Sequence, residues 1–301
     1  MNKIDVVILT KNSAKTLKYV LHGVFNAIPV NKLVIVDYNS IDETLRIAKL
    51  YDAKIIKGAP NIATARYQGV LEVETEWFCF IDSDIYIFPS WYKQLKKWKS
   101  LPRVAWLQGL TIEHSKILNS YAVSKTLRYA KYGCIALSNS LLKKDVVLKC
   151  RDWLDKKIHA GEDFLLYKTV KAEGYRVLID TNALCLHLPD CFFHDIYALY
   201  RSGYSSRLRS KYPSIKYLGV SLILLKEGII RVMLTKDPRV LFYFLIILAS
   251  SYIAGYYKLI EKRVKHLMTN IDKKSKEMII NPLPLNEKEW KNMLKTPSHI
   301  I

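Results

Sequence analysis

An α/β fold, with a parallel sheet flanked by helices, is what this sequence predicts. Three observations carry that expectation. Short, continuously apolar runs of strand length recur through the first half, as buried parallel strands require. Helix-length segments separate them, which is the pattern of βαβ units. Each run then ends abruptly in polar residues, and ligands of such sheets collect beyond the carboxyl ends of the strands.

Taken in order, residues 3–10 (KIDVVILT) read as a first buried strand, with Ser13 as N-cap of a helix through Phe25. Residues 32–37 (KLVIVD) repeat the strand signal before a helix over 42–51. A short strand is expected at 53–57, a helix at 61–73 and a fourth strand at 77–82, WFCFID. Beyond these, 103–110 and 134–137 read as strands, 162–173 as a helix stopped by Gly174, and 175–179 and 183–188 as strands. The three early strand ends read Thr10-Lys11-Asn12, Asp37-Tyr38-Asn39-Ser40 and Asp82-Ser83-Asp84. That is more polarity than loops need.

With 301 residues, 50% apolar and 12% aromatic, the chain is long enough and apolar enough to bury a full core, which excludes a disordered protein. Its five cysteines, at 79, 134, 150, 185 and 191, are scattered and form no C-x-x-C. They fit a reducing, cytosolic setting rather than a disulfide framework. Residues 1–10 do not read as a signal peptide. The net charge of +20 is uneven, because residues 196–301 hold 19 Lys+Arg against 7 Asp+Glu. Within that stretch, 240–257 is an 18-residue run without charge. As a helix it would extend about 27 Å, near the thickness of a hydrocarbon core. Tyrosines and basic residues flank it, and 217–234 reads as an amphipathic helix. The expectation is a catalytic domain over 1–195 and a basic, helical, membrane-associated region over 196–301, with a polar tail from Asp272. The protein would then sit on the cytosolic face of a membrane, anchored by C-terminal hydrophobic helices and touching membrane lipids.

Two carboxylates two residues apart at a strand end, Asp82 and Asp84, can reach one divalent cation. Mg²⁺ and Mn²⁺ suit few protein carboxylates together with waters and substrate phosphates. The motifs fall in a distinctive order: K-N after the first strand, V-D-x-N-S-x-D-x-T over 36–44, A-T-A-R-x-x-G over 63–69, F-I-D-S-D over 80–84 and G-E-D-F over 161–164. Over about residues 3–190 this order resembles the inverting family 2 glycosyltransferases of GT-A fold, a group that includes dolichyl-phosphate sugar synthases. The resemblance implies a Rossmann-like mixed sheet flanked by helices. It also implies sugar transfer from a nucleotide-diphospho-sugar, a UDP- or GDP-sugar, to a lipid-linked or glycan acceptor with divalent metal assistance.

On that resemblance Thr10, Asn12 and Asp37 line the nucleotide pocket, where a carboxylate accepts from the base ring N–H. Arg66 lies near the base and diphosphate. Asp82 touches the ribose or shares the metal, Asp84 holds the metal, and His187, at a strand end, supplies a further metal contact. Asp163 is the catalytic base, with Glu162 positioning or binding the acceptor. Asp42 holds a turn. The sequence also departs from the family pattern. Lys11 stands where an aromatic is frequent, and Tyr38 where a second acid or asparagine is common. Tyr86 follows the D-x-D where dolichyl-phosphate mannose synthases carry glutamine, and the H-P-P-E continuation of those enzymes is absent. A glycan or lipid-linked sugar is therefore favoured as acceptor over a polyprenyl phosphate.

A sugar nucleotidyltransferase would need a Gly-rich phosphate loop near the N-terminus, yet residues 10–15 contain no glycine. A basic protein binding nucleic acid would leave the acidic strand ends repelling phosphate, so no nucleic-acid partner is expected. Cys185, His187, Cys191 and His194 form C-x-H-x₃-C-x₂-H, residue types that zinc accepts, at a spacing matching no common module.

Overall fold

The computed structural model describes residues 3–113, 136–150, 154 and 161–188, together with scattered positions between 222 and 245. The chain divides into two units, Met1–Leu188 and Pro189–Ile301. In the first, β1 (Ile4–Thr10), α1 (Ala14–Ala27), β2 (Val30–Asp37), α2 (Thr44–Lys49), β3 (Lys54–Lys57), α3 (Ile62–Leu71) and β4 (Trp77–Ile81) follow the expected alternation. Then come β5 (Ile85–Ile87), α4 (Trp91–Leu95), β6 (Val104–Glu113), β7 (Asn139–Lys143), α5 (Lys144–Lys149), α6 (Glu162–Ala172) and β8 (Arg176–His187).

All eight strands form one sheet in the order β3-β2-β1-β4-β7-β6-β8-β5. The half β3-β2-β1-β4 is parallel. β7 is antiparallel to both its neighbours, β6 and β8 are parallel, and β5 runs antiparallel to β8. The sheet is thus mixed. Its central strands are apolar on both faces: Val6, Val7, Ile8, Phe78, Phe80 and Ile81 are fully enclosed. α3 approaches β1 so closely that a Cβ on Gly69 would stand 2.4 Å from Val7 Cγ1. Gly69 and Arg66 are three residues apart on α3, on its buried side. The spacing R-x-x-G therefore both seats this helix and aims Arg66 inward.

Three differences from the sequence expectations have physical reasons. The runs 175–179 and 183–188 belong to one strand, β8, whose pairing with β6 shifts between Gly109/Asp180 and Leu110/Leu184. Asp180 there takes the Trp98 Nε1–H at 2.7 Å and the Asn182 N–H at 2.9 Å, which accommodates the polar interruption. Of the strand expected at 134–137, residues 134 and 135 lie outside the described residues and 136 and 137 are not in a strand; β7 starts at Asn139, whose buried side chain is satisfied internally, as is that of Ser140. β5 was not expected, since three residues after an acidic turn carry too little pattern.

The expectation of C-terminal hydrophobic helices anchoring the protein to a membrane is corrected. Among the described residues no helix is long and apolar enough to cross a membrane. α1, at 14 residues, would extend about 21 Å against a hydrocarbon core of about 30 Å. The run 240–257 lies outside the described residues except for Leu241 and Leu245, as does the polar tail. In the second unit, the described positions within 217–234 are helical.

Candidate functional site

The polar ends of β1 and β2 are woven together. Thr10 Oγ1–H donates to Asp37 Oδ1 at 2.8 Å, and Ser40 donates to the same carboxylate through its N–H and its hydroxyl. Ser40 Oγ in turn accepts the Asn12 N–H at 2.8 Å, while Asn12 Oδ1 accepts the Ile41 N–H at 2.9 Å. Asn12 and Asn39 hold φ of 52° and 51°, a left-handed conformation that asparagine tolerates better than most residues. Lys11 Nζ sits 4.6 Å from the Tyr38 ring centre, so the two departures from the family pattern face each other as a cation–π pair. Asp42 accepts from the N–H of Ala14 and from the N–H and hydroxyl of Thr44, tying the starts of α1 and α2.

The second cluster centres on Arg66, which is 4% exposed. Its Nη2 lies 2.9 Å from Asp82 Oδ1 and its Nε 3.4 Å from Glu162 Oε1. Phe80 lies beneath the guanidinium, 5.2 Å from ring centre to Cζ. Burial works against the arginine's charge, but Asp82 and Glu162 more than offset it and raise its pKa. Asp82 moves the other way from most salt-bridged acids. Burial raises its pKa, and Asp84 and Glu162 add to this against the opposing pull of Arg66. Arg66 Nη1 is buried without a hydrogen-bond partner among the described residues. Such an orphan donor calls for an anionic or carbonyl ligand.

Asp82, Ser83 and Asp84 form the turn between β4 and β5, closed by the Ile85 N–H donating to Asp82 O at 3.0 Å. Ser83 Oγ lies 2.9 Å from Ser13 Oγ, at the N-cap of α1, which joins this turn to the first cluster. Because β5 pairs with the end of β8, Ile85 opposite His187, the Asp84 carboxylate meets the imidazole: Oδ2 to Nε2 is 3.4 Å. Among the described residues no group of three His, Cys, Asp or Glu side chains converges as a ready metal site. A carboxylate and an imidazole, both partly exposed, suit an ion that keeps waters and takes phosphate oxygens.

Glu162 and Asp163 open α6, where the helix dipole favours negative charge; Gly161 precedes them at φ 89°. Glu162 is buried on Arg66, whereas Asp163 is half-buried, its Oδ1 accepting the Phe164 N–H at 2.7 Å. The structure thus brings Thr10, Asn12 and Asp37 into one network, Arg66, Asp82 and Glu162 into a second, and Asp84 and His187 into a pair. Ser40 and Ser83 were not singled out from the sequence, and Ser13 only as a helix N-cap; for Ser40 the D-x-x-S spacing was the available signal. Of the Cys/His cluster, Cys185 is buried with its Sγ on Leu110 O, and Cys191 and His194 lie outside the described residues.

Comparisons with known proteins agree with this architecture. Residues 5–142 match the family model described as Glycosyl transferase family 2. Among solved structures, glucosyl-3-phosphoglycerate synthase from Mycobacterium tuberculosis in complex with phosphoglyceric acid is 16% identical at a TM-score of 0.53, covering 68% of this chain and 78% of that one. The same enzyme in complex with Mn²⁺, UDP and phosphoglyceric acid is 16% identical at a TM-score of 0.51, covering 67% and 75%. At that identity the likeness shows the fold. No curated protein matches the sequence. The match over 5–142, on the mixed sheet described above, makes this part of the chain similar to the glycosyltransferases of family 2.

Proposed function

We propose that this enzyme carries out metal-assisted, inverting sugar transfer from a nucleotide-diphospho-sugar, with residues 1–195 as its catalytic domain. The observation that carries the reading is the Asp84–His187 pair beside Asp82 and Arg66, at the carboxyl edge of the sheet. Thr10, Asn12 and Asp37 are the nucleotide-binding end, with Asp82 on the ribose side and Arg66 towards the diphosphate. A divalent ion, Mg²⁺ or Mn²⁺, held by Asp84 and His187 would neutralise charge growing on the departing diphosphate. The UDP and Mn²⁺ found with the mycobacterial synthase support this choice of ligands.

Asp163 is the base. The acceptor oxygen approaches the anomeric carbon from the face opposite the diphosphate and forms the new C–O bond as the old one breaks. The hydroxyl proton passes to the Asp163 carboxylate. The acceptor class is the hydroxyl of a glycan or of a lipid-linked sugar. A panel of UDP- and GDP-sugars, assayed for slow hydrolysis with and without Mn²⁺ or Mg²⁺, tests the reading. Metal-dependent release of nucleotide diphosphate is expected; no hydrolysis and no binding across the panel would overturn it.

A further inference from the structure

The geometry points to Glu162 as a positioning residue that acts through Asp163, held in place by Arg66, and not as a group that binds acceptor. The inference rests on the transfer reading above and deepens it. Glu162 is 7% exposed, and its carboxylate is directed at the Arg66 Nε, 3.4 Å away. A side chain enclosed in that way does not offer its oxygens to an incoming hydroxyl. Its neighbour Asp163 is the more exposed of the two.

The two carboxylates are consecutive on the first turn of α6, so fixing one fixes the backbone from which the other projects. Gly161, in its left-handed conformation, allows the chain to enter this turn sharply. Arg66 is itself fixed from three directions: by α3 against β1, by Phe80 below, and by Asp82 at its other edge. One buried guanidinium therefore links the acidic turn after β4 to the helix that bears the base. Residues 66 and 162 are 96 positions apart in the chain, and the Arg66–Glu162 contact ties the start of α6 to the guanidinium that also holds Asp82. A misplacement of about 1 Å costs on the order of 10²-fold in rate, which gives such a strut its value.

The test uses donor hydrolysis, in which water replaces the acceptor. The anomeric C–O bond to diphosphate breaks, a C–O bond to water forms, and the water proton goes to Asp163. A residue that only binds acceptor leaves this rate untouched. Glu162→Gln is expected to slow metal-dependent hydrolysis of the active nucleotide-sugar by about 10- to 100-fold. Nucleotide diphosphate Kd, by calorimetry, should stay within about threefold. In an Asp163→Asn background, Glu162→Gln should have no further effect, because residues acting as one unit are not additive. Arg66→Lys, which keeps charge and loses the fork, should reproduce the Glu162→Gln rate loss. Unchanged hydrolysis in Glu162→Gln, or a full additional loss in the Asp163→Asn background, would overturn the positioning role while wild-type hydrolysis leaves the transfer reading standing. Wild-type protein that hydrolyses no donor would instead remove the transfer reading itself.

Discussion

His187 Nε2 lies 3.4 Å from Asp84 Oδ2, across two strands that are about one hundred residues apart in the chain. The pairing is set by register: Leu188 N–H donates to Asp84 O at 2.7 Å, which locks the two strand ends side by side. Both side chains are partly exposed and stand outside the apolar core.

Asp84→Ala should therefore lose metal-dependent donor binding while the fold survives. The expected result is no gain in nucleotide diphosphate affinity on adding Mn²⁺, with a melting temperature close to wild type. Calorimetric titration with and without Mn²⁺ makes the comparison. Full metal-dependent affinity in this variant would remove Asp84 from the metal site.

Asp163→Asn should affect chemistry more than binding. Asparagine keeps the size of the side chain but cannot take the acceptor's proton. A general base contributes about 10²–10⁴-fold, and the transfer rate should fall by that factor at unchanged donor affinity. Single-turnover rates and donor Kd measured together decide it. A rate within about threefold of wild type would fit an acceptor that arrives already ionised, such as a phosphate.

The parallel half of the sheet was legible because β1, β2 and β4 are largely buried apolar runs with polar stops, beside the short, half-exposed edge strand β3. The order of the motifs then pointed to Asp82, Asp84 and Asp163, and the resemblance added His187. β7 was harder to see, because Asn139 and Ser140 look like loop residues until Gly109 N and the indoles of Trp91 and Trp106 are placed beside them. The Arg66–Glu162 contact was not legible at all. Charge pairing between residues 96 positions apart has no local signature, and an arginine on a helix reads as surface until its neighbours enclose it. The apolar run at 240–257 lies outside the described residues except for Leu241 and Leu245.

Gly109→Ala should destabilise the domain without touching the site. Gly109 lies where β6 meets the irregular part of β8, and an added Cβ would stand 2.3 Å from Ala183 O and 2.4 Å from Trp91 Nε1. Its N–H also donates to Asn139 Oδ1 at 2.7 Å. Backbone on one side and a buried indole on the other leave little room to yield. Overpacking of this kind costs about 1–3 kcal/mol, which chemical denaturation would record. Wild-type stability in Gly109→Ala would mean that β6 and β8 can separate locally at low cost.

Asp42 offers a pH-dependent test of the turn that ties α1 to α2. Burial acts to raise its pKa, but the Thr44 hydroxyl and the backbone N–H groups of Ala14 and Thr44 outweigh it and hold the carboxyl below its ordinary 3.8. A group whose folded pKa is depressed adds stability above its unfolded pKa and loses it as pH falls through the folded value. Asp42→Asn removes the charge and the oxygen that accepts the Ala14 N–H. A hydrogen bond of this sort contributes about 0.5–1.5 kcal/mol, or about 2–4 °C per kcal/mol in a domain of this size. The melting temperature of Asp42→Asn should therefore lie below wild type by a constant margin between about pH 5 and 8, where the native carboxyl is fully ionised. Below about pH 4 the margin should narrow, as protonation deprives the wild type of the same contacts. Thermal melts of both proteins at pH 7, 5 and 3 make the comparison. A margin that stays constant or widens towards pH 3 would show that the Asp42 charge does not hold this turn.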